Sequence, residues 1–193
     1  MHKGRLEAFS DGVIAIIITI MVLEMRSPHG ADIEALKPLI PVFLSYVLSF
    51  IYLGIYWNNH HHLLQAAKHV DGRILWANMH LLFWLSLIPF VTAWMGENHF
   101  ASGPAMLYGV VLLCSAIAYT ILVRALLARH GKDSVLAVAI GSDIKGNVSI
   151  AIYAAAILMA FKCPAISCAL YALVALIWLA PDTRIEKVIS KAE

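Results

Sequence analysis

The sequence predicts an all-α integral membrane protein that forms a single domain, a six-span transmembrane helical bundle covering residues 1–193. Hydrophobic residues make up 61% of the chain and charged residues only 13%, and the mean hydropathy is +0.80. Soluble domains carry about 25% charged residues. Six apolar stretches are also each able to hold a membrane helix of about 20 residues.

The six predicted spans are bounded by residues that suit helix ends. They cover residues 4–25, 38–63, 74–95, 104–127, 143–161 and 164–180. A proline in the first turn of a helix costs no backbone hydrogen bond, so we expect spans to begin at Pro38, Pro104 and Pro164. Pro181 is expected to end the last span, and Asp143 is a suitable N-cap for the fifth.

Pro89 lies inside the third predicted span. A proline within a helix removes one backbone hydrogen bond and clashes with the carbonyl four residues earlier. We therefore expect a kink or an irregular helix end at this position.

The distribution of basic residues predicts the orientation of the bundle. With six spans, 11 of the 14 lysine and arginine residues lie on one side, and Arg26, Lys37 and Lys162 lie on the other. Cytoplasmic loops are enriched in lysine and arginine. Both termini are therefore expected in the cytoplasm, in the membrane of a bacterial or archaeal cell.

Several classes of function are disfavoured by composition and motifs. A formal net charge of +2 does not suggest a nucleic-acid partner. Cys114, Cys163 and Cys168 do not have the spacing of metal ligands. The chain has no nucleotide-binding loop and no nucleophile-elbow motif. We expect neither an enzyme nor a cofactor.

The first predicted helix is unusual because it places Arg5, Ser10 and Asp11 at the start of an apolar segment, residues 13–23. Ionisable groups at membrane depth cost several kcal/mol, so they normally face a bundle interior, a partner or water. This helix is therefore the first candidate for function.

At about 100° per residue, Ile16, Ile20 and Leu23 fall within roughly 60° of one another on this helix. Thr19 and Gly12 flank the same stripe, whereas Ser10 and Asp11 point away from it, toward neighbouring helices. Because the helix is apolar on all sides, periodicity alone does not decide what the stripe faces. It could face a pore, the bundle interior or lipid.

Arg5, Phe9, Ser10 and Asp11 spell an R-x-x-x-F-S-D motif that resembles the first helix of the transmembrane protein 175 family of potassium channels. The resemblance implies that the first helix lines the pore. It also implies that this chain is the single-unit prokaryotic form, which assembles as a homotetramer in the lipid bilayer. The four motif residues would then be a packing and gating scaffold.

The same resemblance assigns roles to the stripe. Ile16, Ile20 and Leu23 match the apolar constriction and gate, and Thr19 matches the pore threonine that contributes to selectivity. Narrow apolar constrictions gate by dewetting, and no carbonyl filter of the T-V-G-Y-G type occurs in the chain. Selectivity is then expected to be weaker than in ordinary potassium channels, or built differently.

A polar and aromatic cluster spans the second and third predicted helices. It contains Tyr56, Trp57, Asn58, Asn59, His60, His61, His62, Trp76, Asn78, His80 and Trp84. We expect Ser10 and Asp11 to hydrogen-bond into this cluster, with His80 and Asn58 as the preferred partners and Trp76 nearby. A belt of interfacial aromatic residues is the alternative.

The three consecutive histidines do not predict a metal site. Successive residues on a helix point about 100° apart, so His60, His61 and His62 cannot converge on one ion while the helix persists. These residues are better suited to a response to pH, because histidine changes charge near neutrality.

The sequence thus favours passive conduction of potassium, the permeant ion, through a channel. A proton-coupled secondary transporter of a small cation, using Asp11 and the histidine cluster, is the alternative. Such carriers usually have inverted repeats and broken helices around polar sites at the middle of the membrane, and this pattern fits the chain less well.

Overall fold

The computed structural model describes residues 3–67, 69–131, 134, 137 and 143–179. Every regular element in this part of the chain is helical, which confirms the all-α prediction. The helices are α1 (Lys3–Leu23), α2 (Ile40–Ala66), α3 (Gly72–Ser86), α4 (Ile88–Glu97), α5 (Ser102–His130), α6 (Ile144–Ala160) and α7 (Pro164–Leu179), and a 3-10 helix, Ile33–Leu39, precedes α2.

The helices lie where the sequence predicts the six spans, but two of them are short. By length and composition, α1, α2, α5 and the α3–α4 pair can each cross a membrane. The helices α6 and α7 have 17 and 16 residues. At 1.5 Å per residue α6 is about 25 Å long, against a hydrocarbon core of about 30 Å.

The prolines act on the helices in different ways. The third span is interrupted before Pro89, as predicted. The helix α3 ends at Ser86, and Pro89 lies in the first turn of α4. Pro164 is the first residue of α7. Pro38, in contrast, lies within the 3-10 helix, and α2 begins two residues later with Pro41 in its first turn. Pro181 lies outside the described residues.

Aspartate side chains cap two helices. The carboxylate of Asp143 accepts a hydrogen bond from the Gly146 backbone nitrogen at 2.9 Å, which confirms the predicted N-cap of α6. Asp71 caps α3 in the same way, accepting from the backbone nitrogens of Arg73 and Ile74 at 3.0 Å each. Such caps satisfy donors that a helix leaves unpaired at its start.

With α3 and α4 taken as one span, successive spans alternate in direction. Side-chain contacts between α1, α2 and α3, between α2 and α5, and between α6 and α7 place the starts of α1, α3 and α6 at the end of the bundle where α2, α5 and α7 end. We call this the motif end, because the R-x-x-x-F-S-D segment lies there. The first helix packs against α2, α3 and α4, whereas α6 and α7 pack against α5 and against each other. One side of α1 therefore remains outside the bundle core.

A buried polar contact ties α4 to its neighbours despite the break after α3. The Ser49 hydroxyl of α2 lies 2.7 Å from the Thr92 hydroxyl of α4 and 3.0 Å from the Tyr108 hydroxyl of α5. Thr92 also donates to the Ile88 carbonyl at 2.7 Å. Because buried polar groups are costly unless paired, this contact holds the three helices in register.

The close approach of α4 to α2 gives a stability prediction. A Cβ added at Gly96 would lie 2.6 Å from both the Val42 Cα and the Ser45 Oγ, so backbone would have to move. We expect Gly96→Ala to lower the free energy of unfolding by about 1–3 kcal/mol, measured by thermal unfolding in detergent. Gly54→Ala is the control, because a Cβ there meets nothing within 4 Å; equal stability of the two variants would contradict the prediction.

Candidate functional site

The first helix has one buried face and one exposed face. The buried residues are Leu6, Ser10, Ile14, Ile17 and Met21. On the opposite side Ile16 is 58% exposed, Ile20 40% and Leu23 79%, and Gly12 and Thr19 are also exposed. We call Gly12, Ile16, Thr19, Ile20 and Leu23 the open face of α1. It is the stripe that the helical periodicity identified, and it has no partner within one subunit.

Thr19 is the only residue with a polar side chain on the open face. Its hydroxyl donates back to its own helix, 2.8 Å from the Ile16 carbonyl and 3.2 Å from the Ala15 carbonyl. With the hydrogen directed to the backbone, the lone pairs of the oxygen are left for another partner. The open face thus presents one oxygen ligand within an apolar surface.

The open face borders a groove between α1 and the start of α4. Ile16, Ile20 and Glu24 line the groove from one side, and Pro89 and Phe90 line it from the other. The groove is open and has a volume of about 410 Å³. Its lining is mainly apolar, so in one subunit the groove exposes a surface that a second helix could cover.

A buried chain of three side chains anchors the opposite face of α1. The Asn78 amide nitrogen donates to the Ser10 hydroxyl at 2.9 Å, and the Asn78 amide oxygen lies 2.7 Å from the His60 Nε2. Ser10 in turn donates to the Leu6 carbonyl at 2.8 Å. Ser10 and Asn78 are fully buried and His60 almost so. This chain joins α1, α2 and α3 at the motif end.

Two further contacts join α1 to α2 near the surface. The Trp57 indole nitrogen donates to the Asp11 carboxylate at 3.0 Å, and the His61 Nδ1 lies 3.2 Å from the Glu7 Oε1. The Trp57 and His61 rings stack at 6.2 Å between centroids. Glu7 and Asp11 are four residues apart on α1, and Trp57 and His61 are four residues apart on α2. The two contacts therefore lie one helical turn apart between antiparallel helices.

Ser10 and Asp11 therefore bond into the predicted cluster, but the expected partners were wrong. Asn58 is exposed, Trp76 is 78% exposed, and the His80 Nε2 accepts a hydrogen bond from Trp84 on its own helix at 3.0 Å. The partner of Ser10 is Asn78, two positions from both Trp76 and His80. The partner of Asp11 is Trp57, and His60, two positions from Asn58, joins the network only through Asn78. Two positions rotate a side chain by about 200°, to the opposite face of the helix.

The spacing of apolar residues in α3 contains the signal that identifies Asn78. The buried residues Ile74, Ala77, Asn78, Leu81 and Leu85 repeat at intervals of three and four, the pattern of a helix face that packs on a core. Asn78 lies on this face and His80 does not.

The remaining motif residues and histidines do not gather at one point. Arg5 and Phe9 are exposed, and they lie within about 20° of Ile16 around the helix axis. His60 and His61 point to different partners, as expected for consecutive helical residues. Among the described residues, no three histidine, cysteine or acidic side chains are grouped as a metal site would require.

Comparisons with known proteins identify relatives of this chain. The family model described as endosomal/lysosomal potassium channel TMEM175 matches residues 5–89. A potassium channel of Chryseobacterium sp. (strain P1-3) is 58% identical over 187 residues, 97% of each chain, and one of Streptomyces collinus is 34% identical over 126 residues, 61% of each chain. The crystal structure of a homologue of the lysosomal potassium-selective channel TMEM175 from Chamaesiphon minutus has a TM-score of 0.78 and 28% identity, covering 93% of this chain and 97% of that one.

The buried chain predicts which asparagine matters for stability. Asn78→Leu leaves the His60 Nε2 and the Ser10 hydroxyl without their shared partner, so we expect a loss of about 2 kcal/mol in the free energy of unfolding. Asn58→Leu changes an exposed asparagine and should cost less than about 0.5 kcal/mol. Thermal unfolding of both variants in the same detergent measures the difference, and similar losses would refute the role given to Asn78.

Proposed function

Since the chain belongs to the TMEM175 family of potassium channels, we propose that it is a potassium-permeable channel whose pore is lined by the open face of α1. The single observation that carries this assignment of the pore is the exposed apolar stripe with one hydroxyl, on a helix whose other face is anchored by buried polar contacts. The family is a channel family and the chain is not an enzyme. The coupled-transporter alternative is not favoured, because these relatives are named as channels.

Four copies of the chain around one axis would bring four copies of the open face together. A homotetramer satisfies two features of one subunit, the apolar face and the α1–α4 groove beside it, because neighbouring copies would cover both. Arg5 and Phe9 lie on the same side of α1 as the open face and would contact neighbouring copies at the motif end. The partners are thus copies of this chain and the lipid bilayer.

The constriction works by excluding water. Rings of Ile16, Ile20 and Leu23 would form three apolar layers, and a narrow apolar pore loses its water and stops ions. A small rotation or separation of the four helices would admit water and open the path. The contacts of Ser10 and Asp11 with α2 and α3 set the rotation of each α1 and so control this geometry.

Thr19 is the proposed contributor to selectivity. Four hydroxyl oxygens whose hydrogens point to their own helices would present lone pairs to a dehydrating cation between apolar layers. The number and arrangement of such oxygens decide which ion is best compensated for lost water. Conduction by this mechanism needs no cofactor, and potassium is the permeant ion.

In the cell, we place the protein in the bacterial or archaeal cell membrane with both termini in the cytoplasm. The support is the count of lysine and arginine residues, 11 of 14 on one side of the six-span topology. The motif end of the bundle is then the cytoplasmic end.

Ion flux from liposomes tests the function directly. Purified protein in potassium-loaded liposomes should conduct potassium down its gradient without a proton gradient or a second substrate. Native mass spectrometry of the same sample should give the mass of four chains. Flux that requires a proton gradient would refute passive conduction, and a mass other than four chains would refute the tetramer alone.

Polar substitutions on the open face should weaken the constriction. We expect Ile16→Asn, Ile20→Asn and Leu23→Asn each to raise basal cation flux and move the ratio of potassium to sodium flux toward one, because asparagine lets water into an apolar layer. Leu158→Asn is the matched control, since Leu158 is 69% exposed on α6 and away from α1. Unaltered flux and selectivity in all three open-face variants, with assembly intact, would exclude this face as the pore.

The Thr19 hydroxyl should affect selectivity more than conduction. Thr19→Val keeps the shape of the side chain and removes the oxygen, so the ratio of potassium to sodium flux should fall. Thr19→Ser keeps the oxygen and should keep most of the ratio. Reversal potentials in mixed potassium and sodium solutions measure both, and an unchanged ratio in Thr19→Val would remove Thr19 from the selectivity mechanism.

A further inference from the structure

The second helix carries a stripe of aromatic side chains beside α1. Phe43 and Phe50 are exposed, and Tyr46 lies between them with its ring centroid 6.3 Å and 6.0 Å from theirs. We call these three residues the α2 stripe. Trp57, seven residues after Phe50, continues the same line along the helix and donates to Asp11 of α1. The α2 stripe therefore runs along one flank of α1.

The α2 stripe and the α1–α4 groove lie on opposite flanks of α1. Viewed down α1 with Ile16 at 0°, Asp11 contacts α2 from about −140°. Ile20 and Glu24 line the groove from about +40° and +80°. In a closed ring of identical copies, one flank of each copy meets the other flank of the next copy. The α2 stripe of one copy therefore faces the groove of its neighbour.

The α2 stripe and the groove also lie at the same height in the bundle. The hydroxyl of Ser49, the residue before Phe50, is 2.7 Å from the Thr92 hydroxyl of α4. Phe90 and Ala93, close to Thr92 in sequence, line the groove. Rotation about an axis normal to the membrane does not change height, so Phe50 of one copy lies level with Phe90 and Ala93 of the next.

The outer ends of the two surfaces are complementary in polarity. Glu24 is the one residue with a carboxylate that lines the groove. The Trp57–Asp11 contact fixes the register of α1 and α2, and this register places Tyr46 within two residues, about 3 Å, of the height of Glu24. A tyrosine hydroxyl can donate to a carboxylate, and hydrogen bonds to ionised groups are the stronger ones. The two surfaces thus offer one polar pair beside their apolar parts.

We propose that the α2 stripe of each copy occupies the α1–α4 groove of the next copy. Phe50 packs there against Phe90 and Ala93 of the neighbour. The Tyr46 hydroxyl donates to the Glu24 carboxylate of the same neighbour. This interface rests on the proposed ring of four copies and identifies the surfaces that close the ring. Each pore helix is then held by its own α2 on one flank and by a neighbouring α2 on the other.

Photo-cross-linking in liposomes tests the interface. Phe50→p-benzoylphenylalanine places a photoreactive ring in the α2 stripe, and Leu158→p-benzoylphenylalanine places the same ring on the exposed surface of α6 as a control. Half of the copies carry nitrogen-15, so that mass spectrometry separates adducts between copies from adducts within one copy. After irradiation the Phe50 variant should give covalent oligomers of up to four chains, with adducts in the groove segment 86–93 of another copy. The Leu158 variant should remain monomeric on a denaturing gel.

The outcomes separate this interface from the proposed channel. Adducts of the Phe50 variant confined to lipid or to the same copy would overturn the interface and leave the channel intact, provided that native mass spectrometry still gives four chains. Equal yields of oligomer from the two positions would overturn it as well. A sample without the mass of four chains would overturn the assembly and this interface with it.

Tyr46→Phe and Glu24→Gln test the polar contact. Each should lower the temperature at which half of the tetramer dissociates in detergent, and the double variant should lower it no further than the larger single change, because both remove the same hydrogen bond. Glu97→Gln is the control, an exposed acidic position at the same end of the bundle that does not line the groove. Its effect should add to that of Tyr46→Phe. Additive effects of Tyr46→Phe and Glu24→Gln would overturn the contact between them.

Discussion

The buried hydrogen-bond chain from Ser10 through Asn78 to His60 is the constraint on which the rest of the site depends. Unpaired, these groups would each cost about 1–3 kcal/mol in the bundle interior, so α1 can adopt only the rotation that pairs them. Once that rotation is set, helix geometry determines which residues of α1 lie on the surface of the subunit. The open face of α1 is thus a consequence of where the polar residues are buried.

Much of the fold could be predicted because its signals are local. The break at Pro89, the cap at Asp143 and the six apolar segments each depend on a few neighbouring residues. The partners of Ser10 could not be read in the same way, because Asn78 and His80 differ only in which side of α3 they occupy. The repeat of apolar residues around Asn78 carried that information, and residue type alone favoured the wrong residues.

The stripe of Ile16, Ile20 and Leu23 shows a different limit. Helical periodicity identifies which residues share this stripe. Because α1 is apolar on every side, however, the sequence does not identify which stripe the rest of the subunit covers. The structure shows that Ile14 and Ile17 are covered and that Ile16 is not. In the proposed assembly, the uncovered stripe would face the same stripe of neighbouring copies.

The short helix α6 has a mechanical consequence for the surrounding membrane. It spans about 25 Å beside α5, whose 29 residues extend about 43 Å, so on this side of the bundle one helix is shorter than a hydrocarbon core of about 30 Å. Lipids that meet this side must compress their chains or tilt, at a cost of fractions of a kcal/mol per ångström of mismatch. The free energy of this mismatch therefore depends on bilayer thickness, and it decreases in thinner membranes.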